Sequence, residues 1–555
     1  MTARRVADAI VERLRAHGTQ QVFTVAGESY LDVLDALYSE RAALQVVTCR
    51  HEAAVANMAE ASAKLTGRPG VAFVTRGPGL AHASIGVHTA QQDATPMILF
   101  VGEISREDRY RRAFQEVDLS QTFGDLAKGV LQIDVAGRAG ELVDRAFQLA
   151  LSGRPGPVVV GLPEDVLGEP YTTPHGAVGA SASGGVDAAS IAAIQARLST
   201  AKRPLVWLGG SCWSAHDVLA VQQFASAWQL PVVTGFRRKD LFPNRHACYA
   251  GELGFGAPPA LVQRLRDADT ILVLGAALGD VETGGYQWLD RATTATRLIH
   301  VHIDAETLSA LYPAEIAVQG NAGYVAAQLA RMAPSPAALP WLDWTRAARA
   351  DQERFMEPVT VSGAVNLSIV FRQLRAALPD NAIVANGAGN YAAWLHRFYA
   401  HTAFPTQLAP GSGAMGYAVP AAVAAKIVHP DREVVCVAGD GCFLMSVQEL
   451  ATAAALSLPI VFLVINNGSY GTIRMHQEMR FPGRRIATDL KNPDFVALAQ
   501  SFGLGAWRVA ATADFMPALA AARSHGGPAL IELLPSIDDI APGRTLARAS
   551  TETVA

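Results

Sequence analysis

Short runs of β-branched and aliphatic residues recur along this chain, separated by longer stretches whose apolar positions repeat with a helical period. Residues 3–18 predict an amphipathic helix ending at Gly18, followed by a strand over 21–25. Ala26-Gly27-Glu28-Ser29 then turns into a helix over 30–38. A strand over 44–48 runs through Arg50-His51-Glu52 into a helix over 53–65 that Glu52 opens. The strand 71–75 leads into Arg76-Gly77-Pro78-Gly79, a small-residue helix over 83–91 and a strand over 97–101. This alternation of strand and helix indicates a parallel sheet. A second α/β pattern starts at Pro204, and a third begins with a helix near Ser362 and a strand over 382–385. Residues 172–185, rich in Gly, Ser and Ala without a period, read as a linker, and 332–341 form a Pro/Ala-rich junction. The expected fold class is α/β with three parallel-sheet domains, over 1–171, 186–335 and 360–540.

The most informative pattern lies at 434–471. Two hydrophobic runs, 434–437 and 460–465, flank a helix-like run over 444–455, and both runs are apolar enough to be buried on two faces. The first run ends in Gly439-Asp440-Gly441 and the second in Asn466-Asn467-Gly468. Open α/β sheets keep their ligands at the carboxyl ends of their strands. Taken singly, each cluster reads as a turn. Together they offer the Asp440 carboxylate, the Asn467 amide oxygen and a carbonyl near Ser469, an oxygen-only set suited to Mg²⁺. The glycines permit close backbone approach to a diphosphate, and the following helix N-terminus offers it free N–H groups.

Bulk properties narrow the classes. At 555 residues the chain exceeds one core, and half of it is hydrophobic. The 46 Lys and Arg against 50 Asp and Glu give a net charge of −4 with no basic block, which argues against nucleic acid as a partner. The five cysteines are scattered without a CxxC pair, as expected of reduced thiols in a cytoplasmic protein. The N-terminal stretch does not read as a signal peptide, no apolar run reaches membrane-spanning length, and no membrane partner is expected.

The spacing from Gly439-Asp440-Gly441 to Asn466-Asn467 closely resembles the cofactor signature of thiamine diphosphate enzymes. Phe114-Gln115-Glu116 and the segments 411–422, 439–453 and 492–503 extend the likeness over nearly the whole chain. They resemble the acetolactate-synthase-like branch of the family that includes pyruvate oxidase and benzoylformate decarboxylase. The resemblance implies thiamine diphosphate and Mg²⁺ as cofactors and a homo-oligomer, dimer or tetramer. In that family the N-terminal domain of one subunit holds the aminopyrimidine ring and the C-terminal domain of its partner holds diphosphate and metal. Glu52 matches the glutamate that shifts the pyrimidine tautomer so that the thiazolium C2 proton is removed. A buried carboxylate has the raised pKa such proton sharing needs. Gly413 matches the carbonyl that accepts from the 4′-amino group, and Met415 the wedge that bends the cofactor. Asn390, Gly439, Gly441, Cys442, Tyr470 and Gly471 complete the implied cofactor contacts, with Asp440, Asn467 and Ser469 on the metal.

For substrate, the resemblance implies a 2-oxo acid such as pyruvate, then carboligation to an aldehyde or ketone acceptor. Simple decarboxylation, or lyase action on an acyloin, a diketone or a 2-hydroxyacyl-CoA, are the alternatives. Glu28 stands where decarboxylases carry an aspartate and synthases a glycine, and an acid there transfers protons or orients a hydroxyl. Arg76 replaces a small residue and is positioned in sequence to clamp a substrate carboxylate. His82, Phe114 and Gln115 are expected on the N-terminal wall, and Thr472, Ile473 and His476 opposite, where His476 replaces a tryptophan of the synthases. FAD is also raised by the resemblance. The segment 275–280, however, lacks the aromatic residue and arginines of the synthase segment, so the expectation is no flavin, or a nonredox nucleotide.

Overall fold

The computed structural model describes residues 4–174, 176–179, 185–334 and 339–549. Parts of the expected linker (175, 180–184) and of the expected junction (335–338) lie outside the described residues. Three six-stranded parallel sheets organise the rest. In the first, the strands run in the order Gln45–Thr48, Gln21–Thr24, Gly70–Val74, Met97–Glu103, Pro157–Pro163, Gly129–Gln132. The third repeats that topology: Gln407–Leu408, Ile383–Asn386, Val434–Gly439, Ile460–Ile465, Ala529–Leu533, Gly505–Val509. The second reads Ile316–Gln319, Leu298–His302, Thr270–Leu274, Pro204–Leu208, Val232–Thr234, Tyr249–Glu252, so its order reverses between Thr270–Leu274 and Pro204–Leu208.

The central strands are buried along their whole length, which is why they read as continuous hydrophobic runs. The first and third sheets are joined by one core. Helix Glu52–Thr66 packs on the alanine-rich helix Ala418–Val428, and Val55, Met58 and Phe23 share an apolar cluster with Val419, Val423 and Phe462. Glu60 is fully buried at this seam and accepts hydrogen bonds from Tyr417 Oη (2.6 Å) and Thr95 Oγ1 (2.8 Å). Its ion pair is with Lys64 (2.8 Å), whose ammonium also binds Asp93. Burial opposes charge on Lys64, but the Asp93 and Glu60 carboxylates outweigh it and raise its pKa.

Three predicted helices differ in outline. The one expected near Ser362 starts at Leu367, where the Asn366 side chain caps it. The helix after Arg76 starts at Pro78 rather than residue 83, because proline at a first helical position costs no hydrogen bond. The run expected as one helix over 444–455 is broken. A short helix Asp440–Leu444 ends at Met445, and a second, Leu450–Ala455, begins after a 3₁₀ turn. Buried Glu449 forms the break. It accepts from Arg50 N–H (2.9 Å) and Thr452 Oγ1 (2.6 Å), which ties the turn before Glu52 to the third domain.

Candidate active site

The carboxyl ends of three strands in the third sheet surround a cavity of about 240 Å³. Ile383–Asn386 leads through Gly389 into helix Asn390–Phe398, Val434–Gly439 into Asp440–Leu444, and Ile460–Ile465 through Asn467 and Tyr470 into Gly471–Arg480. None of these three helices has a side-chain hydrogen bond capping its N-terminus. Their starts converge on one space, where N–H groups and dipoles favour an anion; of these N–H groups, that of Gly441 is engaged by Asp440. Gly413 (φ 71°) and Met415 close the opposite wall. A Cβ on Gly413 would meet nothing within 4 Å, whereas one on Gly441 would strike the Tyr470 ring at 2.5 Å.

Asp440 is buried, and Oδ2 accepts from Gly468 N–H (2.9 Å) and Asn492 Nδ2 (2.7 Å), while Oδ1 accepts from Gly441 N–H (2.9 Å). Burial raises its pKa and these hydrogen bonds pull the other way. Asn467 Oδ1 accepts from Ser469 N–H (3.2 Å) and also lines the cavity. Ser469 also lines the cavity; its Oγ donates to the Thr488 carbonyl (2.8 Å), and its own carbonyl accepts from Gly471 N–H (2.9 Å). An acid, an amide oxygen and main chain at a converging set of N–H groups fit a diphosphate with a hard divalent cation. Cys442 lines the cavity, and its Sγ accepts from Gly416 N–H (3.2 Å) and Tyr391 Oη (3.5 Å), pinning the Met415 loop to the Asp440 turn.

Thirteen sequence-predicted residues thus meet at one cavity: Asn390, Gly413, Met415, Gly439, Asp440, Gly441, Cys442, Asn467, Ser469, Tyr470, Gly471, Thr472 and Ile473. His476 lies further along the last helix and is exposed. Asn390 Oδ1 accepts from Thr472 Oγ1 (2.9 Å), linking two of the helix starts. Five contributors were not anticipated. Ala388, Gly389, Tyr391 and Ile465 line the cavity, and Asn492 bridges Asp440 to Asn466 Oδ1 (2.9 Å). Asn492 opens one of the segments that carry the family likeness, but a loop asparagine gives no further signal of its contact.

The N-terminal residues form a second constellation. Glu52 is the first residue of its helix, after His51, whose Nδ1 accepts from Ala53 N–H (3.1 Å). Its carboxylate lies 2.9 Å from His82 Nδ1, and the His82 ring stacks on His51 at 4.5 Å. Burial, with His82 nearby, lowers the His51 pKa, which suits its acceptor role at the helix start. A Cβ on Gly79 would lie 3.5 Å from Glu52 Oε1, so the glycine corner leaves one face of the carboxylate open. Arg76 reaches Glu164 (2.6 Å) with one nitrogen and Glu28 (3.4 Å) with another, so the proposed carboxylate clamp is already occupied by two acids. Gln115 packs against Gly77, and Phe114 is 75% exposed. None of these N-terminal residues lines the C-terminal cavity.

A larger cavity, about 580 Å³, lies where all three domains meet. Gly210 and Gly275 line it at the point where the central strand order reverses, and its charge is mixed, with Arg154, Arg237 and Arg238 on one side of the balance and Asp93, Asp280 and Glu282 on the other. A Cβ on Gly210 would fall 1.9 Å from the Gly275 carbonyl, so glycine is needed there. These features fit a nucleotide phosphate.

Models of the N-terminal, central and C-terminal domains of thiamine pyrophosphate enzymes match residues 4–122, 191–329 and 387–533, respectively. The acetolactate synthase large subunit of Parasynechococcus marenigrum is 32% identical over 544 residues, covering 95% of this chain and 87% of that protein. That of Corynebacterium glutamicum is 30% identical over 556 residues (95% and 86%). The isozyme 3 large subunit of Escherichia coli is 30% identical over 516 residues (90% and 88%). The chain belongs to the thiamine diphosphate-dependent enzyme family, whose fold binds thiamine diphosphate and Mg²⁺. Within it the chain falls in the acetolactate-synthase-like branch, whose members process 2-oxo acids.

Proposed function

We propose that this enzyme uses thiamine diphosphate and Mg²⁺ to decarboxylate a 2-oxo acid such as pyruvate and to join the remaining fragment to an aldehyde or ketone. The convergence of three uncapped helix starts on Asp440 and Asn467 carries this reading. When bound, the cofactor would supply a nucleophilic carbon and, in its cationic ring, a sink for the electron pair released with CO₂. Asp440, Asn467 and the Ser469 main chain hold the cation, and the helix N–H groups hold the diphosphate. Met415 and Gly413 orient the ring system. Glu52, from a second copy of the chain, places its carboxyl beside the pyrimidine. Phe114, Gln115 and His82 line one wall for the substrate, and Thr472, Ile473 and His476 the other. The cavity between the domains holds a nonredox nucleotide rather than FAD, its phosphates at Arg154 and Arg238.

A second reading, release of the aldehyde without carboligation, is favoured by one observation. With Arg76 engaged by Glu164 and Glu28, no free cation remains at that corner among the described residues to hold a second 2-oxo acid, and Glu28 is largely exposed. Either Glu28 protonates the product or its charge repels an anionic acceptor.

Calorimetry with thiamine diphosphate and Mg²⁺ tests the cofactor assignment: Asp440→Ala should lose most metal-dependent binding, and unchanged affinity would remove it. Product analysis with pyruvate and a panel of 2-oxo acids, with and without aldehydes, tests the acceptor. Rapid acetolactate formation from pyruvate alone, unchanged in Glu28→Gly, would restore a plain synthase.

A further inference from the structure

The loop 409–415 is a shared wall. Ala409, Gly411 and Ser412 line the interdomain cavity, while Gly413 and Met415 line the cavity around Asp440. Arg237, from the central domain, is buried on the interdomain side and grips this wall from behind. One guanidinium nitrogen donates to the Pro410 carbonyl and the other to the Gly387 carbonyl (3.3 Å). Those two carbonyls are hinge points. Pro410 O also accepts from Gly413 N–H (3.0 Å) and so closes the turn that puts Gly413 in its left-handed conformation. Gly387 O accepts from Asn386 Nδ2 (2.8 Å) and precedes Ala388, Gly389 and Asn390, all on the cavity. The grip is itself fixed: Arg237 N–H donates to Glu252 (2.7 Å), and its backbone is held at φ 60°, a conformation a non-glycine residue keeps only when its surroundings impose it.

We propose that Arg237 is a positioning residue for thiamine diphosphate, setting the separation of the 387–390 and 410–415 turns that enclose the cofactor although it touches neither cofactor nor metal. A single planar guanidinium spanning two carbonyls fixes both distance and angle, which a lysine cannot do. Because Arg237 faces a cavity of about 580 Å³, a small guanidinium ion added in solution can reach the space it would vacate.

The inference rests on the cofactor reading above, and one titration separates the two. Thiamine diphosphate is titrated by intrinsic fluorescence, at saturating Mg²⁺, into the full chain freed of cofactor. Arg237→Ala is expected to bind roughly 10- to 100-fold more weakly than wild type, from loss of two charge-assisted hydrogen bonds. Methylguanidinium at low millimolar concentration is expected to restore most of that loss and to leave wild type unchanged. Equal affinity of Arg237→Ala and wild type overturns the inference. So does an affinity that falls without rescue, which would make the arginine only a prop between domains. Should the alanine variant not fold, Arg237→Lys carries the test: a several-fold loss is expected, and wild-type affinity overturns the inference. A wild type that binds no thiamine diphosphate removes the reading of the cavity itself.

Discussion

Asp440 carries a charge in a buried setting, and its hydrogen-bond partners decide where that charge points. Asn492 is the side-chain partner at Oδ2, so Asn492→Ala should leave the fold intact and weaken Mg²⁺ affinity by about 10- to 100-fold, read by metal titration in the presence of thiamine diphosphate. Wild-type metal affinity would show that the two backbone N–H groups suffice. Glu103, at the end of a central strand, gives a pH prediction. Burial pushes its pKa up to about 7 from an ordinary 4.5, against opposing contacts from Gln132 and Arg109. A carboxyl with a raised folded pKa favours the folded state below 4.5, and that contribution is lost as pH rises to about 7. The swing is about 3 kcal/mol. Glu103→Gln should therefore flatten the fall in melting temperature between those pH values, and parallel curves would show that Glu103 is not the group responsible. Asp440 and Asn467 were legible in the sequence because each follows a strand within a glycine turn, so local pattern fixes their place. Asn492 was not, since it reaches Asp440 from 52 residues away and only the folded chain brings the loop back. Arg76 was legible as a cation at a corner, but its neutralisation by Glu164, 88 residues on, was not.

At the scale of elements, period and composition reported the strands well because the buried parallel sheet demands apolar residues at every position. The run 460–465 is one example: the observed strand Ile460–Ile465 has the same bounds. Helix starts were less legible. The break at Met445–Glu449 is imposed by a buried glutamate that serves a contact to Arg50, and helical periodicity continues through it. The missing caps on the three helices around the cavity are a departure from local preference, and that departure is where the anion site lies. The seam between Glu52–Thr66 and Ala418–Val428 shows what charge burial costs. Lys64 pairs with both Glu60 and Asp93 and also donates to the Ala409 carbonyl (3.0 Å), at the start of the cofactor loop. Lys64→Met would leave two acids facing one another without a cation, and should destabilise the protein by about 3–5 kcal/mol. Thermal unfolding checks this, and a loss no larger than that of an exposed lysine would show that the acids share a proton instead.

At the scale of the whole molecule, the two constellations do not meet within one chain. Glu52 and His82 belong to the first sheet's corner and Asp440 and Asn467 to the third's, yet the proposed chemistry needs both at one cofactor. Large apolar side chains are exposed in the segments beside each half: Phe114 (75%) in the N-terminal domain, and Ile473 (54%), Phe481 (51%) and Ile486 (75%) in the C-terminal one. Exposed apolar groups beside unfinished sites are what a two-fold contact between copies would cover, and such symmetry completes two sites at once. The prediction is sharper than an oligomeric mass. Glu52→Gln and Asp440→Ala should each be inactive alone, measured by exchange of the cofactor C2 proton or by CO₂ release from the preferred 2-oxo acid. When the two variants are dissociated, mixed and reassociated, half of the dimers are mixed, and in those one site carries both substitutions while the other carries neither. Random pairing should thus return about a quarter of wild-type activity. If each site were built from a single chain, every site would keep one substitution and mixing would return nothing. That result, with mixed dimers verified by mass, would confine Glu52 and Asp440 to one subunit and require a domain movement to bring them together.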